Sequence, residues 1–383
     1  MSLTRLFLIP FLTCIFVLGC GKQPEAPNTQ VAPKVSSTNP QPKQASLPPS
    51  VSVPVFTLQD FDSNSTDHNS TKKAIGEALG KSPAELTQAD LEQVEKLDLF
   101  ALGITDISPL AALSRLKRLN IVGNNINDLT ALTGLTSLEV LYACENKISD
   151  ITPLAGLSKL RVLHLRKNFV SDLTPLAGLT SMLSLDLERN RVRDIDVFLS
   201  VHQLFSSWCI YKNHLANMHD LNWLALSFNQ VSDISALAGT QNLRHLYLER
   251  NRLTNESDIS AFSKLCFLKT LSIRDNRVTD LSSLAGSDKM LWLELDNNRV
   301  YDLSPLAGMK GLKKLYMENN QVRILDPLVK LTSLEIVRGR GNPVSSKETR
   351  KLMQALPKCS IKVGSFNKVP TRRNQNPAPP EKN

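Results

Sequence analysis

Residues 116–129 read LKRLNIVGNNINDL, residues 138–151 LEVLYACENKISDI, residues 160–173 LRVLHLRKNFVSDL and residues 182–195 MLSLDLERNRVRDI. All four fit L-x-x-L-x-(L/I/A)-x-x-N-x-(I/V)-x-D-(L/I), with Met182 replacing the first leucine of the last. Asn124, Asn146, Asn168 and Asn190 mark a fixed step of 22 residues. A period of 20–29 residues built on leucine and asparagine specifies a solenoid, in which each coil buries its apolar face only against its neighbours. Counting in both directions from the stretch predicts about twelve coils over residues 96–344. Their landmarks are 102, 124, 146, 168, 190, 213, 229, 251, 276, 298, 320 and 342, and all but Leu102 are Asn.

The regular positions have structural work to do. An amide both donates and accepts, so an Asn buried at each bend can pair with backbone of adjacent coils. Asp recurs four residues after the landmark, at 106, 128, 150, 172, 194, 233, 280 and 302. There it can cap a short convex segment such as Ser108-Pro109-Leu110. One carboxylate per coil also suits a calcium array, but the nonapeptide motifs of calcium-binding solenoids are absent. The expected fold is an α/β leucine-rich repeat solenoid. It is a right-handed arc with a parallel β-sheet on the concave face, short 3-10 or helical convex segments and a helical N-terminal cap.

The period breaks twice. The step from Asn251 to Asn276 is 25, which predicts a bulge around Asn255-Glu256-Ser257. From Asn190 to Asn229 it is 39, and a coil through Phe205, Trp208, Ile210, Tyr211 and Asn213 fits only if the next step shrinks to 16. His202, Cys209, His214 and His219 also gather here. A zinc site is one reading, but the spacing matches no familiar ligand pattern, and a degenerate repeat is the other.

The flanks differ in composition. Arg5, the apolar run 6–18 and Val17-Leu18-Gly19-Cys20 have the anatomy of a lipoprotein signal over residues 1–19. Cleavage would leave Cys20 as the acylated residue, anchoring the chain in a bacterial cell envelope membrane; Gly21 then favours the outer membrane in a Gram-negative host. Residues 20–70 hold eight prolines between 21 and 56 and read as a disordered tether. Residues 71–95 carry the capping signals Ser82…Glu85 and Thr87…Asp90 and form the helical N-terminal cap. At the other end, Ser345…Glu348 opens a helix, Pro357 stops it and residues 360–363 form a last strand, so that 345–363 close the solenoid. Residues 364–383 read as a basic disordered tail.

Net charge is +9, yet from Lys73 to Pro357 there are 34 basic and 31 acidic residues. The basic balance therefore belongs to the ends, and a nucleic-acid groove is not expected. Cys144 and Cys209 would lie three coils apart, roughly 14 Å at about 4.8 Å per strand, too far for a disulfide. Cys266 and Cys359 are similarly separated, and free thiols are expected.

The 22-residue unit N-x-I-x-D-(L/I)-x-P-L-A-G-L resembles the leucine-rich repeats of internalins, and the lead-in 74–99 resembles their N-terminal cap. The resemblance covers about residues 71–363. It implies a binding protein of the same fold, and since neither a cell-wall sorting motif nor an immunoglobulin-like module follows the repeats, it does not imply invasion activity.

Side chains six, four and two residues before each landmark point out from the strands. These 36 positions hold six of the eight Tyr and Trp residues. The expected partner-binding face comprises Tyr142, His164, Arg166, Glu188, Tyr211, Trp223, His245, Tyr247, Glu249, Trp292, Glu294, Tyr316 and Arg338. Exposed rings beside Arg are the composition of protein-binding hot spots; sideways packing along the sheet is the structural alternative. Opposed charges on these columns suit a protein or peptide partner, with a glycan on Trp223 and Trp292 as a second possibility. No catalytic motif is present, and neither a cofactor nor a metal is expected. The function read from the sequence is a monomeric, non-catalytic, lipid-anchored interaction module. A structural or glycan-binding envelope protein is the alternative, and a metal-dependent enzyme built on the irregular coil is a third.

Overall fold

The computed structural model describes residues 57–58, 65–196, 218–255 and 259–364. Helix α1 spans Thr66–Leu79, is N-capped by Ser65 and ends on Gly80 in the left-handed conformation at φ 67°. It begins before the expected Thr71 because its first turn is clipped to the first coil. Asp67 accepts from the amides of Thr105 at 2.7 Å and Asp106 at 2.9 Å, and His68 Nε2 lies 2.9 Å from Asp106 Oδ2. A 3-10 turn, Pro83–Glu85, and helix α2, Gln88–Leu91, follow, each opened by the expected capping box. Ile75, Leu86, Leu91 and Val94 are buried and cover the apolar end of the first coil.

One parallel sheet of twelve strands runs in strict sequence order. The strands are β1 Lys96–Asp98, β2 Arg118–Asn120, β3 Val140–Tyr142, β4 Val162–His164, β5 Ser184–Asp186, β6 Trp223–Ala225, β7 His245–Tyr247, β8 Thr270–Ser272, β9 Trp292–Glu294, β10 Lys314–Tyr316, β11 Ile336–Arg340 and β12 Ser360–Gly364. Each of the first ten is a triplet whose middle residue is a buried leucine, as Leu141 and Leu163 are in the paired triplets 140–142 and 162–164. Opposite the sheet lie 3-10 segments such as Thr152–Leu154 and Thr174–Leu176. Their leading aspartates do cap them: Asp150 and Asp172 each accept from the amide two residues on at 2.8 Å.

The landmark asparagines form the predicted ladder. Asn168 donates from Nδ2 to the carbonyls of Ala143 and Leu165, both at 2.9 Å, and accepts at Oδ1 from the Ile148 amide at 3.0 Å. The pattern repeats down to Asn342. The residue before each described landmark turns left-handed. Among the described residues nine non-glycine residues take that conformation, including Glu145, Lys167, Arg189 and Arg250. A lone left-handed L-residue costs about 1–2 kcal/mol, which the hydrogen bonds on either side of it offset.

The irregular region departs from the expectation. Ser184 of β5 pairs directly with Trp223 of β6, and Asn229 donates to the Leu187 carbonyl at 2.9 Å. Asn190 and Asn229 thus mark coils whose strands are neighbours in the sheet. Leu185 of β5 pairs with Leu224 of β6, so the leucine layers on either side of the 39-residue step are in contact register. Tyr211, His202, Cys209 and His214 lie outside the described residues, as does Cys20. The twelfth strand is instead β12, the closing strand, paired with β11. It follows helix α3, Ser346–Ala355, whose N-cap Ser345 accepts from the Glu348 amide at 3.2 Å. The Glu348 carboxylate turns to the preceding coil and accepts from Leu325 N at 3.0 Å, so only half of the capping box forms. Cys144, Cys266 and Cys359 are free thiols.

Candidate partner-binding face

Register puts Tyr142 beside His164, His164 beside Asp186, Trp223 beside His245 and Tyr247 beside Ala225. The outward rings therefore meet in a continuous run. Centroids are 5.1 Å apart for Tyr142–His164, 5.9 Å for His164–Trp223 and 5.6 Å for Trp223–Tyr247. The Arg118 guanidinium caps the run 5.0 Å from the Tyr142 ring. A second, shorter run joins Trp292 to Tyr316 at 6.2 Å, with the Lys314 ammonium 4.6 Å from the Trp292 ring. Tilted pairs at these separations add about 0.5–1.5 kcal/mol beyond burial. Sideways packing and exposure therefore coexist: the rings support one another along the sheet while remaining only partly buried, and Trp292 is 37% exposed.

Between and beside the two runs lies a group of carboxylates. The Ser272 hydroxyl lies 3.0 Å from both Glu249 Oε1 and Glu294 Oε2. One hydroxyl proton serves only one acceptor at a time, so the two acids compete for it. Burial first, and then the like charge of Glu294, push the Glu249 carboxyl up against the Ser272 hydrogen bond. Trp292 Nε1 donates to Glu294 Oε1 at 3.0 Å. Asp186 and Asp296 are each pushed up to about 6, chiefly by burial. Arg166 answers part of this charge through Glu188 at 3.3 Å, but its buried Nε has no partner.

His164 and His245 are both shifted down by burial, which favours neutral imidazoles. Each meets a hydroxyl at 3.1 Å, Ser184 for the first and Thr270 for the second. Arg338 stands apart from the rest: its Nη1 donates to the Ser360 carbonyl at 2.8 Å and so ties β11 to β12. Of the thirteen expected contact residues, eleven share this face between β3 and β10; Arg338 belongs to the closing edge, and Tyr211 lies outside the described residues. Arg118, Lys314, Ser272, Asp186 and Asp296 complete the face. Their outward columns were readable from the repeat, but their pairing depends on side-chain direction between coils. Among the described residues, no group of three His, Cys, Asp or Glu side chains is arranged to hold a metal ion. No described helix is long and apolar enough to cross a membrane.

Residues 136–178 and 241–286 match the family described as Leucine Rich repeats (2 copies). The chain is 30% identical to an internalin (inlF) from Listeria monocytogenes, with a TM-score of 0.64, covering 78% of this chain and 90% of that one. The functional domain of InlJ from Listeria monocytogenes shares the fold at 16% identity and a TM-score of 0.59, with coverage of 79% and 69%. A chain of the octameric complex of Latrophilin 3, Unc5D and the leucine-rich repeat protein FLRT2 shares it at 24% identity and 0.56, with coverage of 72% and 84%. No curated protein matches the chain. Proteins of this fold generally mediate protein–protein interaction and are typically non-enzymatic. With its unbroken order of parallel strands, asparagine ladder and 22-residue register, the chain belongs to the leucine-rich repeat proteins, in an internalin-like form.

Proposed function

We infer that this chain is a non-catalytic interaction module that captures a protein or peptide on its concave face. The observation that supports this reading is the pair of ring runs flanking the Glu249–Ser272–Glu294 group. Large apolar rings exclude water around a few desolvated polar groups, the anatomy of a hot spot. The carboxylates there outnumber their local cations, so the fitting partner places a Lys or Arg between two apolar contacts. That cation would let Asp186, Glu249 and Asp296 ionise fully. A glycan fits less well, because the faces it would stack on are engaged: Trp223 lies between His164 and Tyr247, and Lys314 covers Trp292.

The lipobox at Cys20 supports a diacylglycerol anchor, which would hold a monomeric module on an envelope membrane, the outer one in a Gram-negative cell. Acylation at Cys20 makes the tether to residue 70 a spacer between membrane and solenoid.

The test is the triple variant Trp223→Ala, Tyr247→Ala and Trp292→Ala. Loss of capture by at least about a hundredfold with the fold retained is expected, since single hot-spot truncations cost about 2 kcal/mol or more. Unchanged capture would remove the concave face from the account.

A further inference from the structure

Near-neutral charge over the repeats conceals a one-sided edge. The position after each landmark lies where the strand edge turns toward the convex side, and in three successive coils it is Arg252, Arg277 and Arg299, all exposed. Backbone hydrogen bonds fix their spacing: the amides of these residues donate to Val231, Leu253 and Val278 carbonyls at 2.9, 3.0 and 2.9 Å. The three backbone positions from which these side chains rise therefore follow the inter-strand repeat of about 4.8 Å. None has an ion-pair or side-chain hydrogen-bond partner among the described residues. Among the described residues, the acids of the same turns have partners of their own: Asp275 is held by Arg250 and Asn297, Asp280 by Ser282, and Asp302 by Ser304. Stacking like charges in adjacent coils is unfavourable by itself.

The ladder ends at an apolar hollow. Tyr301 and Ile324, 62% and 60% exposed, are the most exposed large hydrophobic side chains among the described residues. With Arg323 they line a cavity of about 500 Å³ in the coils that follow Arg299.

We propose that this edge is a second docking surface, for an acidic helical segment of a partner protein with carboxylates on one face and an apolar residue one turn beyond them. Charge complementarity selects an acidic occupant. Spacing selects a helix, whose same-face residues i, i+4 and i+7 span about 10.5 Å, near the roughly 9.6 Å of two coil steps, whereas two alternate-residue steps of an extended chain span about 13.6 Å. Planar guanidinium groups bind carboxylates bidentately, which adds geometry to charge. The surface is separate from the concave rings.

The experiment uses the full chain and a synthetic helical peptide with glutamates at i, i+4 and i+7 and a leucine one turn further on. The controls are the same peptide with its glutamates shuffled around the helix, and vesicles containing phosphatidylglycerol. The expected result is binding of the spaced peptide about tenfold tighter than the shuffled one. The combined Arg252→Gln, Arg277→Gln and Arg299→Gln variant should lose at least about tenfold, matching three charge-assisted contacts, and Tyr301→Ala with Ile324→Ala should weaken binding several-fold. The Trp223, Tyr247 and Trp292 variant should bind the peptide as wild type does, which separates this surface from the concave one. Equal binding of both peptides or of the vesicles, wild-type binding by the arginine variant, or no binding of the spaced peptide would overturn the proposal. So would early melting of the arginine variant, which would show that these side chains have structural partners.

Discussion

Replacing Asp186 by Asn should stabilise the protein at neutral pH and leave it nearly unchanged at pH 4. Asp186 sits on β5 between His164 and Ala225, is 8% exposed, and accepts one hydrogen bond, from the Glu188 amide at 2.9 Å. Burial is the main cause that moves its carboxyl from an ordinary 3.8 to about 6, with Glu188 adding to it and Arg166 opposing. Because the folded value is the higher one, the native state holds the proton more tightly than the unfolded chain. The penalty for ionising is absent below about pH 4, grows as the unfolded chain loses its proton, and is complete above about pH 6. At 1.36 kcal/mol per pKa unit it reaches about 3 kcal/mol. An asparagine keeps the shape and the acceptor oxygen for the Glu188 amide and removes the charge. Urea unfolding at pH 4, 5.5 and 7.5 should therefore show a gain of about 2–3 kcal/mol at pH 7.5, about 70% of that at pH 5.5 and only about 0.5 at pH 4. A gain independent of pH, or a loss at pH 7.5, would refute the reasoning. It would also remove the argument that this face stores carboxylates awaiting a cationic partner.

Two further outcomes concern the scaffold and the anchor. Asn168→Ala strands the Ala143 and Leu165 carbonyls and the Ile148 amide. With each stranded group costing about 1–3 kcal/mol, a loss of at least about 3 kcal/mol is expected in a denaturation curve, against under about 0.5 kcal/mol for an exposed change such as Lys159→Ala. Cys20→Ser should move the protein from the membrane to the soluble fraction of host cells; a membrane-bound Cys20→Ser protein would refute lipid anchoring.

What the sequence made readable follows from what a repeat repeats. Leu, Asn and Asp recur because each coil solves the same problem: a buried layer, a bend with unpaired backbone and a helical turn to start. Asn146 and Asp150 therefore announced their partners before any coordinates. The 39-residue step is ambiguous in the sequence because Asn213, preceded by Ile210 and Trp208, imitates a landmark. The sheet resolves the ambiguity by pairing Ser184 with Trp223. On the concave face, columns were readable but neighbours were not. Trp223 reaches diagonally to Tyr247, and Ser272 lies between two acids because its coil carries a small residue where others carry large ones. The arginine edge escaped notice because its charge cancels in any sum over the repeats.

The central claim is that function resides in the side chains the repeat leaves free on the concave face. Photo-crosslinking in intact cells, with a crosslinking residue at position 270 beside the rings, addresses it most directly. The account predicts a discrete protein adduct that disappears when Trp223, Tyr247 and Trp292 are replaced by Ala. An equally strong adduct in that variant, or no protein adduct in the wild type, would contradict it.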